Sequence, residues 1–373
     1  MNAAYVNYYY DPDISQETYF DRYPSVHGWC KAAADSGISV TVYQRFNKDI
    51  SFEKDNVLYK MICDNESPAL KTFENPYLFH NHIIKGSPDL IHINSFNYSF
   101  QLWMLQRKIK KGKFIIQHHA EKPLNGIRKN IRRFLCGSSD GFIFSSEPLY
   151  KEWEGQYNIP TGKIFAEIIE NSTCFVPANK IASQNKTGMT GSPIFLWVGR
   201  LNENKDPLTL LTGFRMLLSD HPEAKLYMIY SEGKLEKSII EYLKSAEMSG
   251  AVELSGKIKH SELNAYYNSA DYFVSGSHYE SSGYSLIEAM ACGVIPIVTD
   301  IPSFRVITGN GTAGGLWIKG NADSFYNMAK EVLLKDREQL TRKTKMIFDS
   351  ELSFSAISGK INKFYAGVLS SKV

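Results

Sequence analysis

Apolar positions along the chain fall into short blocks separated by polar turns and helical stretches. In the first half, Tyr5-Val6-Asn7-Tyr8-Tyr9, Val40-Thr41-Val42-Tyr43, Leu90-Ile91-His92-Ile93, Phe114-Ile115-Ile116 and Gly141-Phe142-Ile143-Phe144 read as strands. Their alternation with helical segments predicts a parallel α/β sheet. The second half repeats the scheme. Strands are predicted around Leu196-Trp197-Val198, at Lys225–Tyr230, at Val252–Ile258, where apolar and polar residues alternate, and at Ala270–Val274. Glu262–Tyr267 reads as a helix. A further helix, Leu286-Ile287-Glu288-Ala289-Met290-Ala291, is stopped by Gly293 and runs into the buried-strand pattern Val294-Ile295-Pro296-Ile297-Val298. That succession is half of a doubly wound α/β unit, in which ligands bind where strands end and helices begin.

Two such sheets fit the size of the chain. Its 373 residues exceed the usual single-domain length, and a hydrophobic content of 43% supplies two cores. Residues 177–193, rich in Asn, Ser, Thr, Lys and Gly, read as a linker between a domain at 1–176 and a second at 194–352. Residues 353–373 read as a helical tail.

The densest chemistry lies at Glu280-Ser281-Ser282-Gly283-Tyr284-Ser285-Leu286-Ile287-Glu288. Gly283 can turn successive N–H groups to one side, and Ser285 precedes Glu288 by the three residues of a capping box. A helix opening there offers the amides of Tyr284 and Ser285 to a diphosphate, with Glu288 one turn on for ribose hydroxyls and Glu280 before the turn. The plainer alternative is a surface helix with an ordinary cap and two solvated glutamates. Upstream, Leu196-Trp197-Val198-Gly199-Arg200-Leu201-Asn202-Glu203-Asn204-Lys205-Asp206-Pro207 runs from a strand into a turn carrying Arg200 and Lys205. Two cations there suit a pyrophosphate leaving group; two exposed loop charges are the alternative.

In these residues the chain resembles the retaining nucleotide-sugar glycosyltransferases of group 1 (family 4). The family signature is two glutamates with seven residues between them, and Glu280 and Glu288 keep that separation with Ser281-Ser282 in place of the usual Gly-Phe. The Val198-Gly199-Arg200-Leu201 and Lys205 block matches too, with Asp206 where the family often has Gly. The resemblance, close over about residues 194 to 335, implies a GT-B fold, two Rossmann-like doubly wound parallel-sheet domains facing a cleft, the N-terminal one on the acceptor side and the C-terminal one binding the nucleotide sugar. It implies transfer of a sugar from a nucleoside-diphosphate sugar to a hydroxyl acceptor with retention (EC 2.4 class), in bacterial polysaccharide, lipopolysaccharide or glycolipid assembly. Arg200 and Lys205 would hold the diphosphate, Glu280 the donor sugar and Glu288 the ribose. Ser231, in the turn Ser231-Glu232-Gly233, and Ile258, after the next strand, would line the donor site. No tightly bound cofactor and no metal are expected. The tail would cross back to the first domain, as in similar proteins.

Two departures bear on the acceptor. The family's Gly-Gly loop is replaced by Tyr23-Pro24-Ser25-Val26-His27-Gly28-Trp29, and its Asn-Gly-Val-Asp by Asn171-Ser172-Thr173-Cys174. A non-catalytic GT-B subunit that binds a nucleotide sugar or a partner transferase is therefore the alternative function. His118 and His119 end a predicted strand where the family carries one active-site histidine; Ala120, matching the family's small residue, favours His119, which could donate a hydrogen bond to a sugar hydroxyl.

Charge is uneven. The chain carries a net +3, yet residues 107–133 hold ten Lys or Arg and one acid, Glu121. Arg128, Lys129, Arg132 and Arg133 can share one helical face. A solvated face is one reading; a surface for anionic lipid or a lipid-linked acceptor is the other. No nucleic-acid motif accompanies the charge. Asp11-Pro12-Asp13 is a literal Asp-x-Asp, but in this setting a metal site is not expected. No apolar run nears the ~20 residues of a membrane span and no signal-peptide pattern opens the chain. With five scattered cysteines, these features give a cytoplasmic expectation, with contact at the inner membrane face through the basic stretch.

Overall fold

The computed structural model describes residues 1–64, 69–231, 233–246, 248 and 250–371. Contacts divide the chain into two units, 1–171 with 354–373, and 172–353.

The first unit is built on an eight-stranded sheet. In chain order the strands are β1 (Asn2–Asn7), β2 (Ser39–Arg45), β3 (Ile50–Lys54), β4 (Val57–Ile62), β5 (Leu90–Asn94), β6 (Lys113–Gln117), β7 (Gly141–Phe144) and β8 (Ile164–Glu167). Their spatial order is β3-β4-β2-β1-β5-β6-β7-β8, parallel except for β3 on β4. The β3–β4 hairpin and β8 escape the sequence reading. In the hairpin, Asp55 and Asn56 make the turn, both at positive φ, a conformation such residues tolerate. β8 is four half-buried or exposed residues with little apolar signature.

The second unit is a six-stranded, wholly parallel sheet: β9 (Ile194–Arg200), β10 (Lys225–Ser231), β11 (Val252–Gly256), β12 (Tyr272–Ser275), β13 (Ile295–Thr299) and β14 (Gly315–Trp317), ordered β11-β10-β9-β12-β13-β14. Buried Phe195, Trp197, Leu226, Met228, Tyr272, Val274, Ile295 and Ile297 form its core with residues of the flanking helices.

Residues 177–193 carry a helix, Lys180–Thr187, capped by the Asn179 side chain and ended by Gly188 in the left-handed conformation. Asp271 ties it down, accepting from Lys180 and from Arg337 (2.8 Å). The tail forms the helix Phe354–Ser370. Its Ile357, Ile361, Phe364, Tyr365 and Val368 are buried in the first unit's core, and Tyr365 Oη lies 2.7 Å from His92 Nδ1.

Candidate functional site

The order of the parallel strands reverses between β9 and β12 in the second unit and between β1 and β5 in the first. The loops leaving the carboxyl ends of such a strand pair splay apart and leave a crevice.

In the second unit the two loops are laced together. The His278 N–H donates to the Asn204 carbonyl (2.8 Å) and the Asn204 amide to the Tyr279 carbonyl (2.9 Å). Lys205 Nζ donates to Glu280 Oε1 at 2.5 Å, and His278 Nε2 lies 2.8 Å from Asp206 Oδ2. Asp206 stands at φ +40° and caps the helix Pro207–Asp220 by accepting from the Thr209 N–H. A left-handed N-cap explains why glycine and aspartate can both serve there. Gly276 permits the approach, since a Cβ there would lie 2.8 Å from the Asp206 carbonyl oxygen.

Arg200 ends β9, exposed, and its side chain makes no hydrogen bond or ion pair among the described residues. Ser231, its neighbour in register on β10, is exposed as well. Glu232 of the expected turn lies outside the described residues. Ile258 is half-buried in the loop after β11.

The helix start differs from the capping box expected at Ser285. Helix Tyr284–Ala291 begins one residue earlier, with Gly283 as N-cap at φ +55° and no side-chain cap. Glu288 does not reach back to the helix start. It is 2% exposed, and its oxygens accept from His260 Nε2 (2.5 Å) and the buried Tyr267 Oη (2.8 Å). The His260 ring stacks between Phe175 (5.0 Å) and Tyr284 (5.9 Å). Burial and the Glu288 carboxylate push the Tyr267 phenol well above its usual range, so it stays a donor. His260, Tyr267, His278 and Phe175 were not singled out by the sequence, where the nearest signal is the adjacency of His278 to Glu280.

In the first unit, His118 and His119 part company at the end of β6. His118 is fully buried, stacked on Phe144 (4.8 Å, 11°), with Nε2 donating to the Glu121 carbonyl (2.9 Å). His119 is a third exposed, its Nδ1 3.9 Å from Glu170 Oε1, and burial lowers its pKa against the opposing pull of Glu121. The Glu121 carboxylate accepts from Ser95 Oγ (2.6 Å), Phe96 N–H (2.9 Å) and His119 N–H (2.6 Å), joining the loops after β5 and β6.

The four cations expected on one face of helix Gly126–Leu135 are divided. Arg132 is buried, 4.9 Å from the Trp153 ring, and donates to the Lys122 carbonyl; Arg128 is exposed, Lys129 and Arg133 half-buried. Ile127 (75% exposed), Ile131 and Phe134 (68%) occupy the outer face instead. Asp11 accepts from the Asp13 N–H and pairs with Arg22 at 3.6 Å. Among the described residues no group of His, Cys, Asp or Glu is arranged to hold a metal, and no helix is long and apolar enough to cross a membrane.

Two parallel-sheet α/β units, each with a crevice at its strand reversal, define the GT-B class of glycosyltransferases. The chain belongs to the group 1, family 4 glycosyltransferases: the pattern described as "Glycosyl transferases group 1" matches residues 179–346 and that described as "Glycosyltransferase Family 4" matches 25–166. It is 26% identical over 205 residues to a GDP-mannose:cellobiosyl-diphosphopolyprenol alpha-mannosyltransferase of Xanthomonas oryzae, covering 53% of this chain and 54% of that protein. To a mannosylfructose-phosphate synthase of Agrobacterium fabrum it is 34% identical over 113 residues, 28% of this chain and 25% of the relative. The match thus spans about half or less of these relatives. A solved glycosyltransferase from Rickettsia africae shares the fold, with a TM-score of 0.76 at 17% identity over 100% of this chain and 99% of that one.

Proposed function

We propose that the protein transfers a sugar from a nucleoside-diphosphate sugar to a hydroxyl acceptor with retention of anomeric configuration. The observation that carries the reading is the Lys205–Glu280 pair between the loops after β9 and β12, with exposed Arg200 beside it and the helix start at Gly283 following. A diphosphate entering there competes for Lys205 and releases Glu280 toward the donor sugar. Arg200, Lys205 and the free amides of Tyr284 and Ser285 then meet the charge that develops as the bond from C1 to the phosphate oxygen breaks. The acceptor hydroxyl attacks C1 from the same face, and its proton passes to the departing phosphate. Glu288, already holding His260, shapes the ribose side by fixing that ring, and His119 is assigned a hydrogen bond to a sugar hydroxyl. The reaction as drawn draws on no metal.

The test is titration of UDP-, GDP- and ADP-sugars with release of nucleoside diphosphate as readout. Lys205→Ala should lower turnover by about 10²–10³-fold, the loss typical of one preorganised charge-stabilising donor. Equal turnover by wild type and an Arg200→Ala/Lys205→Ala variant would refute the site; no binding of any nucleotide sugar would refute the transferase reading.

A lipid-linked acceptor at the inner membrane face is supported by the outer face of helix Gly126–Leu135, where Ile127, Ile131 and Phe134 lie beside Arg128 and Arg133. The full chain should co-sediment with vesicles containing anionic lipid and less so with neutral ones, and Ile127→Ser/Phe134→Ser should abolish the difference. Indifference to both changes would remove the membrane from the proposal.

A further inference from the structure

The first unit carries a cavity of about 690 Å³ at the amino edge of its sheet. It lies where β6, β7 and β8 begin: Lys113 opens β6, Asp140 precedes β7 and Lys163 precedes β8. Along β6, four rises of ~3.3 Å put about 13 Å between Lys113 and Gln117, so this edge is remote from His119. Doubly wound sheets bind their ligands at the carboxyl edge, and a concave site at the amino edge is not accounted for by the fold.

The charge around the cavity is unevenly matched. Lys113 is half-buried, and its Nζ donates to Asp140 Oδ1 (3.0 Å) and to the Ser371 carbonyl (3.2 Å). The other Asp140 oxygen accepts from the Phe114 N–H (2.8 Å), so this carboxylate is held on both sides and Lys113 meets its charge. Lys110 and Lys111, both exposed, and the half-buried Lys163 add three cations to the described lining beyond that pair. The loops that bear them are anchored to the sheet. The Lys113 N–H donates to the Asp89 carbonyl (2.9 Å) and the Asp140 N–H to the Phe114 carbonyl (2.7 Å). Gly112 permits the close approach, since a Cβ there would lie 2.5 Å from the Ile91 side chain. Cations gathered on anchored loops repel one another, and a bound anion relieves that repulsion. A site fixed before binding also spends little affinity on ordering.

Gln106 narrows the choice of anion. It lines the same cavity from the end of the helix Ser99–Gln106, is 9% exposed, and donates from Nε2 to the buried Ser139 hydroxyl (3.4 Å). Its Oε1 is buried and has no partner among the described residues. An orphaned buried acceptor costs stability unless a donor reaches it. The oxygens of a phosphate ester suit the lysines but offer Gln106 no donor, whereas a hydroxyl on the same ligand does. Phe114, the one ring in the described lining, is buried, so a nucleobase has no platform to stack on. We propose that this cavity binds the phosphate ester of a polyol, its phosphate among Lys110, Lys111 and Lys163 and a hydroxyl donating to Gln106 Oε1. The site belongs to the first unit and the Lys205–Glu280 pair to the second, so the proposal does not depend on the transferase reading.

The experiment titrates the full chain calorimetrically with glycerol phosphate and with methyl phosphate, at about pH 8, where both esters are dianions. In a second arm the chain is floated with vesicles of phosphatidylglycerol or of phosphatidylmethanol, which has the same charge and no hydroxyl. Glycerol phosphate should bind about tenfold more tightly than methyl phosphate, the worth of one buried acceptor satisfied, and Lys110→Ala/Lys111→Ala should weaken both by about tenfold. Gln106→Leu should bring the two esters level; the lysine variant, at exposed positions, decides the matter if Gln106→Leu does not fold. Binding of this pattern in solution assigns the site to a free polyol phosphate. A preference for phosphatidylglycerol over phosphatidylmethanol that the lysine variant loses, with no binding in solution, assigns the same chemistry to a lipid headgroup. Absence of both, or binding unmoved by the lysine changes, overturns the proposal, and equal affinity of the wild type for the two esters overturns the hydroxyl contact at Gln106.

Discussion

Glu288 shows how one side chain can be recognised in a sequence and still be placed in a setting that the sequence conceals. Its distance from Glu280 is plain along the chain, but its two partners come from the helix His260–Ser269, some twenty and twenty-eight residues away. Removing one donor from a buried carboxylate leaves an acceptor that water cannot reach. Tyr267→Phe should therefore destabilise the second unit by about 1–3 kcal/mol. Urea denaturation followed through that unit's tryptophans, Trp197 and Trp317, measures this, and an unchanged midpoint would mean that Glu288 has another partner in solution. The residues that lace the crevice were partly legible for the same reason. Arg200, Lys205 and Glu280 carry charge next to a strand end, which a pattern reveals; His278 and Asp206 act through contact across 72 residues, which it does not.

At the scale of the element, backbone conformation decides the site more than side-chain chemistry does. Gly283 opens its helix at φ +55°, and a Cβ there would come within 2.5 Å of the Phe304 ring. Gly283→Ala adds a strain of about 1–2 kcal/mol from the left-handed conformation alone, before Phe304 is displaced. The helix start should shift and nucleoside-diphosphate affinity fall by tenfold or more, read by calorimetry; wild-type affinity would show that the amides at this turn do not meet the phosphates. Strands with continuous apolar runs, such as β7 and β13, were read almost to the residue, because burial on both faces leaves an unbroken signal. The helix Lys180–Thr187 was hidden because its composition is that of a linker. Only Ser183 is buried, and its stability comes from a cap, a left-handed glycine stop and the Asp271 ion pairs. The basic helix Gly126–Leu135 was read by its charges, but its inner and outer faces follow from the Trp153 ring that receives Arg132.

Across the molecule, acid should act first on the unit that buries neutral histidines. Burial lowers His92 to about 3 and His80 to about 4, and both are held by tyrosine hydroxyls, Tyr365 and Tyr8. In the unfolded chain the same groups titrate near 6.5. As pH falls from about 6.5 toward 4 the unfolded state binds protons that the folded state refuses, so stability drops by up to about 1.4 kcal/mol per pH unit for each histidine. Denaturation midpoints at pH 7 and pH 5 should separate in wild type and separate by less in His92→Gln, His80 still contributing its share; an equal drop in both would trace the acid sensitivity to groups other than His92. His92 also marks how the first unit is completed, since its partner Tyr365 arrives on the helix Phe354–Ser370. During synthesis at roughly 5–20 residues per second, the whole of 172–353 leaves the ribosome, over roughly ten to forty seconds, before that helix does. The segment made first must therefore wait as an unfinished core, with the Trp29 indole lacking its Tyr365 acceptor and the Ala32 carbonyl its Ser358 donor, while the segment made second is already free to fold. The order in which the two halves mature is the reverse of the order in which they are translated.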